Sequence, residues 1–168
     1  MSTDRPAAER PAPVTRLRPE RTSSFDEHYR EQLAPLVRTA TLIVGSRAIA
    51  EELVQDAFVR VHGRWGSIDH PVAYTRRAVV NACRSHLRRR VLEDRYRRAG
   101  RPEVADLGAR ELLDALAALP PRQRAALVLR YYDDLSERET AEVLGCAPGT
   151  VSSLVHRGLA TLRTRIDR

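Results

Sequence analysis

From residue 24 onward, apolar residues recur every three or four positions, and glycines and prolines punctuate the runs. That is the period of helices packed on one side. Ser24 and Glu27 have the S-x-x-E spacing of a capping box, in which two side chains satisfy amides at a helix start. Phe25, Tyr29, Leu33, Leu36, Val37 and Ala40 follow at helical spacing. Pro35 removes one amide donor from this run and is expected to kink or interrupt it. Residues 46–65 carry a cleaner stripe of Ala50, Leu53, Val54, Ala57, Phe58 and Val61, with Glu51, Glu52, Gln55, Asp56 and Arg60 opposite.

After this second helix the stretch "HGRWGSIDHP" reads as a loop, with Gly63 and Gly66 around Trp65 and with Asp69 or His70 capping a helix that starts at Pro71. That third helix is expected to bury Val72, Val79, Ala82, Cys83 and Leu87 and to turn its arginines outward. Apolar periodicity is lost over 91–108, where Gly100, Pro102 and Gly108 mark a linker. A second helical unit follows over 109–168. One helix ends at Pro120–Pro121, "RQRAALVLRYYDDL" makes the next, and two short ones close the chain. The expected fold class is therefore all-α: two small helical domains, 24–90 and 109–168, on a flexible linker.

The last two helices form a helix-turn-helix pattern. Ser136 with Glu139 is another capping box, Gly145 stops the first helix, and Pro148 starts the second at a position where its missing N–H has no partner. Val151, Val155, Leu159 and Leu162 form the expected inward face, leaving Thr150, Ser152, Ser153, Leu154, His156 and Arg157 to point outward. Such a pair lays its second helix in the DNA major groove.

Charge sharpens this picture. All 29 basic residues are arginine and the net charge is +7. Ten of them fall between Arg76 and Arg101 against only Glu93 and Asp94, which is +8 and leaves −1 for the rest. A block of one sign this dense favours a polyanion partner. Tyr74, His86 and Tyr96 lie among these arginines beside the Trp65 loop, and cations interleaved with aromatics suit single-stranded nucleic acid. Trp65 either takes part in that stacking or anchors the core. The acidic face of the second helix would repel phosphate, so it faces away from DNA or meets another protein.

Other chemistry finds little support. The five histidines have no metal-ligand spacing, no Walker loop, H-E-x-x-H or G-x-S-x-G occurs, and a nuclease or deaminase would need such residues. No catalytic residue, metal site or cofactor is expected. Cys83 and Cys146 lie far apart in apolar helical or turn settings and read as inert thiols. Residues 1–23 hold four prolines and five arginines with almost no large apolar residue, so a disordered tail is expected, with no signal peptide and no membrane insertion. The protein is expected to be cytoplasmic and nucleoid-associated.

Three stretches, in order, resemble a bacterial RNA polymerase sigma factor of the extracytoplasmic-function type, with an actinobacterial flavour in Tyr74 and "VVN". "AEELVQDAFVRVHGRW" resembles the family's polymerase-clamp helix. "HPVAYTRRAVVNACRSHLRRR" resembles the helix that opens and reads the minus-10 element, and "LPPRQRAALVLRYYDDLSERETAEVLGCAPGTVSSLVHRGLATLR" resembles the domain that reads the minus-35 element. The resemblance covers about residues 25–163 and implies a promoter-specificity subunit without catalysis. Its partners would be core RNA polymerase (the β′ clamp and β flap) and promoter DNA, with an anti-sigma factor as a further candidate. It implies polymerase binding by Glu52, Gln55 and Asp56. Minus-10 binding would fall to Trp65, Tyr74, Arg76, Arg77, Asn81, Arg84 and Arg88, and minus-35 binding to Thr150, Ser153, Leu154 and Arg157. Two departures from the family pattern stand out. Ala147 stands where Ser or Thr often caps the recognition helix, an acceptor worth about 1 kcal/mol. Ser152-Ser153-Leu154 replaces a common Lys-Ser-Arg. The alternative reading is a stand-alone helix-turn-helix regulator, which leaves the acidic helix and the single-strand-type basic helix unexplained.

Overall fold

A computed structural model describes residues 24–94 and 107–166, so the expected tail and most of the expected linker lie outside the described residues. These residues form α-helices and tight turns, with no strand among them. In chain order the helices are α1 (Phe25–Val44), α2 (Arg47–His62), α3 (Pro71–Asp94), α4 (Leu107–Ala117), α5 (Pro121–Leu127), α6 (Glu137–Leu144) and α7 (Pro148–Ile166).

Local chemistry sets the ends of these helices. Ser24 caps α1 and Ser136 caps α6, each in a complete box with the glutamate three residues on. Gly45 and Gly145 end α1 and α6 with φ of 79° and 64°, a left-handed conformation that glycine adopts without the Cβ penalty. Pro35 does not break α1, which runs unbroken through it. Its missing donor frees the Glu31 carbonyl, and since both residues are exposed, water can satisfy that oxygen. At the other boundary α3 runs on to Asp94 and α4 begins at Leu107, so helix occupies both ends of the expected linker.

Helices α1, α2 and α3 pack on one another around Ala40, Ile43, Val54, Phe58, Val79, Val80 and Cys83. Val72 is 43% exposed, against expectation, because Thr75 takes the inward position in the first turns of α3. The buried Thr75 hydroxyl donates to Pro71 O at 2.8 Å and lies 2.9 Å from Nε2 of the buried His28, which ties α1 to the start of α3.

Helices α4 to α7 surround Leu119, Ala125, Ala126, Leu129 and Val151. Beyond α5 the chain widens into a π-helical turn, Val128–Tyr132, closed by a bond from Asp133 N to Val128 O of 3.1 Å. The turn swings Tyr132 and Asp133 toward α1, where each meets a side chain. The two helix groups share one continuous apolar cluster, in which Leu36, Ile43 and Val44 join Leu116, Leu127 and Leu135.

Candidate nucleic-acid and protein interfaces

Helix α2 buries Ala50, Val54, Ala57, Phe58 and Val61 and presents Glu52, Gln55 and Asp56 to solvent. Arg47 and Glu51 pair with each other at 2.8 Å, leaving Glu52 and Asp56 as the acidic pair flanking Gln55. Between α2 and α3 runs a groove with Glu52, Asp56 and Arg60 on one wall and Asn81, Ser85 and Arg89 on the other.

On α3, Thr75, Val79, Val80, Cys83 and Leu87 face inward. Tyr74, Arg77, Asn81, Arg84 and Arg88 recur at steps of three and four, which stacks them along a single face of the helix. Tyr74, Arg77, Asn81 and Arg88 are exposed. Arg88 donates to Ser85 Oγ at 3.2 Å on its own helix. Arg84 is half-buried and reaches the C-terminal helices, donating to Leu144 O at 3.1 Å. Its pKa is depressed by burial first and then by the like charges of Arg122 and Arg88. Arg76 lies off this row, with its Nε 3.9 Å from Asp133 Oδ2. Burial also pushes the Cys83 thiol up to about 12, so it is an inert core group.

Trp65 begins a 3₁₀ turn, Trp65–Ser67, and lies half-buried against Phe25 (ring centroids 5.4 Å apart, edge-on) and His28 (5.1 Å). Phe25 in turn meets Phe58 and His62. Of the two roles open to Trp65, the anchoring one is visible: it pins the loop of residues 62–70 to α1. Apart from the buried Ile68, the rest of that loop, including Arg64, Asp69 and His70, is exposed.

On α7 the structure corrects the outward face. Leu154, expected to face outward, is buried with 6% exposure and belongs to the apolar cluster. The inward row is Val151, Leu154 and Gly158, with Val155 and Leu159 half-buried beside it. Gly158 is the point of closest approach to α5, where an added Cβ would stand 2.8 Å from Leu127 Cδ1. A glycine is blank in an apolar pattern, so the row through it carries no sequence signal, unlike the neighbouring 151–155–159 row. The exposed set is therefore Ser152, Ser153, His156 and Arg157, which line one shallow surface, with Thr150 half-buried at its edge. Ser153 Oγ donates back to Gly149 O at 3.0 Å, which leaves its lone pairs for an outside donor. Ser152 Oγ donates to Glu137 Oε1 at 2.8 Å, and Arg157 Nε to Ser153 O at 3.2 Å.

Sequence reasoning also missed a buried guanidinium. Arg124 is 6% exposed and donates to Ile43 O at 2.7 Å, Ala117 O at 2.8 Å and Leu119 O at 3.2 Å, bonding carbonyls near the C-terminal ends of α1 and α4 at once. Burial, and then the charge of Arg90, lowers its pKa to about 10. Arginine in a basic chain gives no sequence signal of this. No cluster suited to a metal ion occurs among the described residues, and no described helix is long and apolar enough to cross a membrane.

Comparison with known proteins places these surfaces in a family. Residues 28–93 match the model of sigma-70 region 2, and residues 109–162 that of sigma-70, region 4. The RNA polymerase sigma-E factor of Streptomyces coelicolor is 36% identical over 152 residues, covering 84% of this chain and 85% of that protein. The ECF RNA polymerase sigma factor SigM of Mycobacterium tuberculosis is 36% identical over 148 residues, covering 83% and 75%. Among solved structures, the sigma factor RpoE in complex with the anti-sigma factor NepR from Bartonella quintana superposes with a TM-score of 0.69 at 25% identity, over 86% of this chain and 98% of that one. The chain belongs to the sigma-70 family, as a sigma factor of the extracytoplasmic-function subgroup that directs transcription initiation.

Proposed function

We propose that the protein is a non-catalytic, cytoplasmic promoter-specificity subunit whose residues 24–90 bind core polymerase and the minus-10 element, while residues 109–168 read the minus-35 element. The observation that carries this is the pair of surfaces of unlike character that border one groove, the exposed Glu52, Gln55 and Asp56 of α2 beside the Tyr74–Arg88 row of α3. An acidic row suits a basic protein surface and repels phosphate, so α2 docks on the β′ clamp while α3 faces DNA. Arg77 and Arg88 track the backbone, Tyr74 supplies a stacking face and Asn81 an amide for a base edge. The loop of residues 62–70, pinned by Trp65, borders that face. Arg76 and Arg84 join them once released from their present partners. On α7, Arg157, Ser153 and Thr150 meet the minus-35 groove with His156 beside them, and the C-terminal unit also meets the β flap.

An anti-sigma factor is a natural further partner, because the similar sigma factor RpoE was solved with one. The deciding experiment is transcription in vitro by core polymerase with and without this protein on a genomic promoter library. Discrete start sites that need the protein support the reading. Tight duplex binding by the free protein, with no change in transcription, would replace it with the stand-alone regulator.

A further inference from the structure

The starts of α6 and α7 meet at a polar contact, where Ser152 Oγ donates to Glu137 Oε1 at 2.8 Å and both residues are exposed. The other two carboxylates of α6 are occupied close to home. Glu139 Oε2 accepts from the Ser136 amide at 2.8 Å and from the Ser136 hydroxyl at 2.6 Å, while Glu142 pairs with Arg138 at 3.6 Å. Glu137 instead reaches across the turn to α7. Ser152 thereby fixes a carboxylate at the edge of the surface that it forms with Ser153, His156 and Arg157.

The hydroxyl hydrogens on this edge are already in use. Ser152 gives its own to Glu137, and Ser153 gives its own to Gly149 O at 3.0 Å. A hydroxyl whose hydrogen is committed offers only lone pairs outward, and an ionised carboxylate only accepts. Glu137, Ser152 and Ser153 therefore make a block of acceptors near the N-terminal end of α7, the part of a recognition helix that meets base edges. In the major groove the donors are the amino groups of cytosine N4 and adenine N6, whereas guanine and thymine present acceptors. Adenine also sets its N7 lone pair beside N6, facing the second carboxylate oxygen. Cytosine presents no acceptor of its own there.

We infer that Glu137, positioned by Ser152, selects a cytosine in the minus-35 element by accepting from its N4 amino group. The inference rests on the proposed placement of α7 in the minus-35 groove. A carboxylate beside phosphates weakens binding to every sequence unless a donor meets it, so its effect is discrimination rather than affinity. Guanine or thymine at that step sets acceptor against acceptor and is rejected.

The test uses the full chain assembled with core polymerase, and a library of duplex promoter fragments randomised over the minus-35 region. Retained fragments are sequenced. Wild type should enrich cytosine over thymine at one step by at least about fivefold. Glu137→Gln should move the preference at that step to adenine, because a glutamine amide donates to N7 while accepting from N6. Glu137→Ala should flatten the preference there and leave the other steps as they were. Ser152→Ala should weaken the same preference, and Ser152→Thr, which keeps the hydroxyl, should restore it. These exposed changes should leave Tm within about 2 °C. Should Glu137→Ala destabilise the chain, Glu137→Gln decides, since it keeps an acceptor for Ser152. Base preferences within about twofold of wild type at every step in both Glu137 variants overturn the inference. A uniform gain in affinity for all sequences overturns it too, since Glu137 would then merely repel phosphate. If the wild-type holoenzyme enriches no sequence in the minus-35 region, the proposed role of α7 fails instead, and the two failures are told apart.

Discussion

Truncating Leu154 to alanine removes the Cγ and both Cδ carbons from a side chain that is 6% exposed in the row where α7 meets the core. The transfer term alone is about 2.4 kcal/mol, at about 0.8 kcal/mol per buried carbon. A residual cavity adds to it, as it does generally for buried leucines, whose truncation costs about 2.7–5 kcal/mol. Val155, Leu159 and Leu162 are only partly buried and packed alongside, so they can close some of the gap. The expected loss is therefore near the low end, about 3 kcal/mol, or a fall of about 10 °C in Tm for a chain of this size. Urea unfolding of the full chain, followed by far-ultraviolet circular dichroism, reads it as a lower midpoint at unchanged slope. Leu154→Arg should be worse, since it buries an unpaired guanidinium beside Val151. A loss below about 0.5 kcal/mol, the range of an ordinary surface change, together with weaker minus-35 binding, would put Leu154 back in the groove and refute the inward row.

The other predictions divide between surface and core. Asp56→Arg, with Glu52 and Gln55 next in rank, should abolish capture of core polymerase while leaving Tm within about 1 °C, because the side chain lies opposite the buried stripe; undiminished pull-down removes the docking role. Asn81→Ala or Tyr74→Ala should lower permanganate reactivity of promoter thymines in the holoenzyme and spare closed-complex formation, whereas equal loss of both steps would make these residues merely structural. His28 should impose a pH dependence on stability. Burial lowers its pKa below the usual 6.5, with Glu31 partly opposing, so the folded state binds fewer protons than the unfolded one. Its contribution is complete above that usual value and is lost as pH falls through it toward the folded value. Tm should fall on acidification below about pH 6.5, more steeply in wild type than in His28→Gln, which keeps a donor for Thr75; parallel pH curves would count against His28 as the source.

What the sequence disclosed follows the range of the interactions. Both capping boxes, the Gly145 stop and the proline start of α7 are contacts within a few residues, and the structure has them as expected. The stripe of α2 was readable because every inward position carries an apolar side chain. On α3 the inward Thr75 is polar, its hydroxyl satisfied by Pro71 O and His28, so the pattern misassigned burial to Val72. On α7 the inward Gly158 carries no side chain at all. Arg124 and Asp133 lay beyond reach for a different reason: their partners are 81 and 94 residues away, and a charged residue is read as surface until a carbonyl or hydroxyl is found to receive it.

Arginines that bond across the two helix groups and also belong to the proposed minus-10 set complicate the reading of any single substitution there. Arg76→Ala would remove the cation nearest Asp133, yet it would also delete a cation from the proposed DNA face. A change in DNA affinity then mixes a contact between the helix groups with a contact to phosphate. Arg84 has the same ambiguity through Leu144 O. Arg88 does not, since its guanidinium bonds Ser85 on its own helix. Its removal should weaken DNA binding and reduce the salt dependence by about one ion, with thermal stability unchanged. A double-mutant cycle of Arg76→Ala with Asp133→Ala separates the two roles: the coupling term measures the contact between the groups, and the loss that persists in the Asp133→Ala background measures the DNA contact.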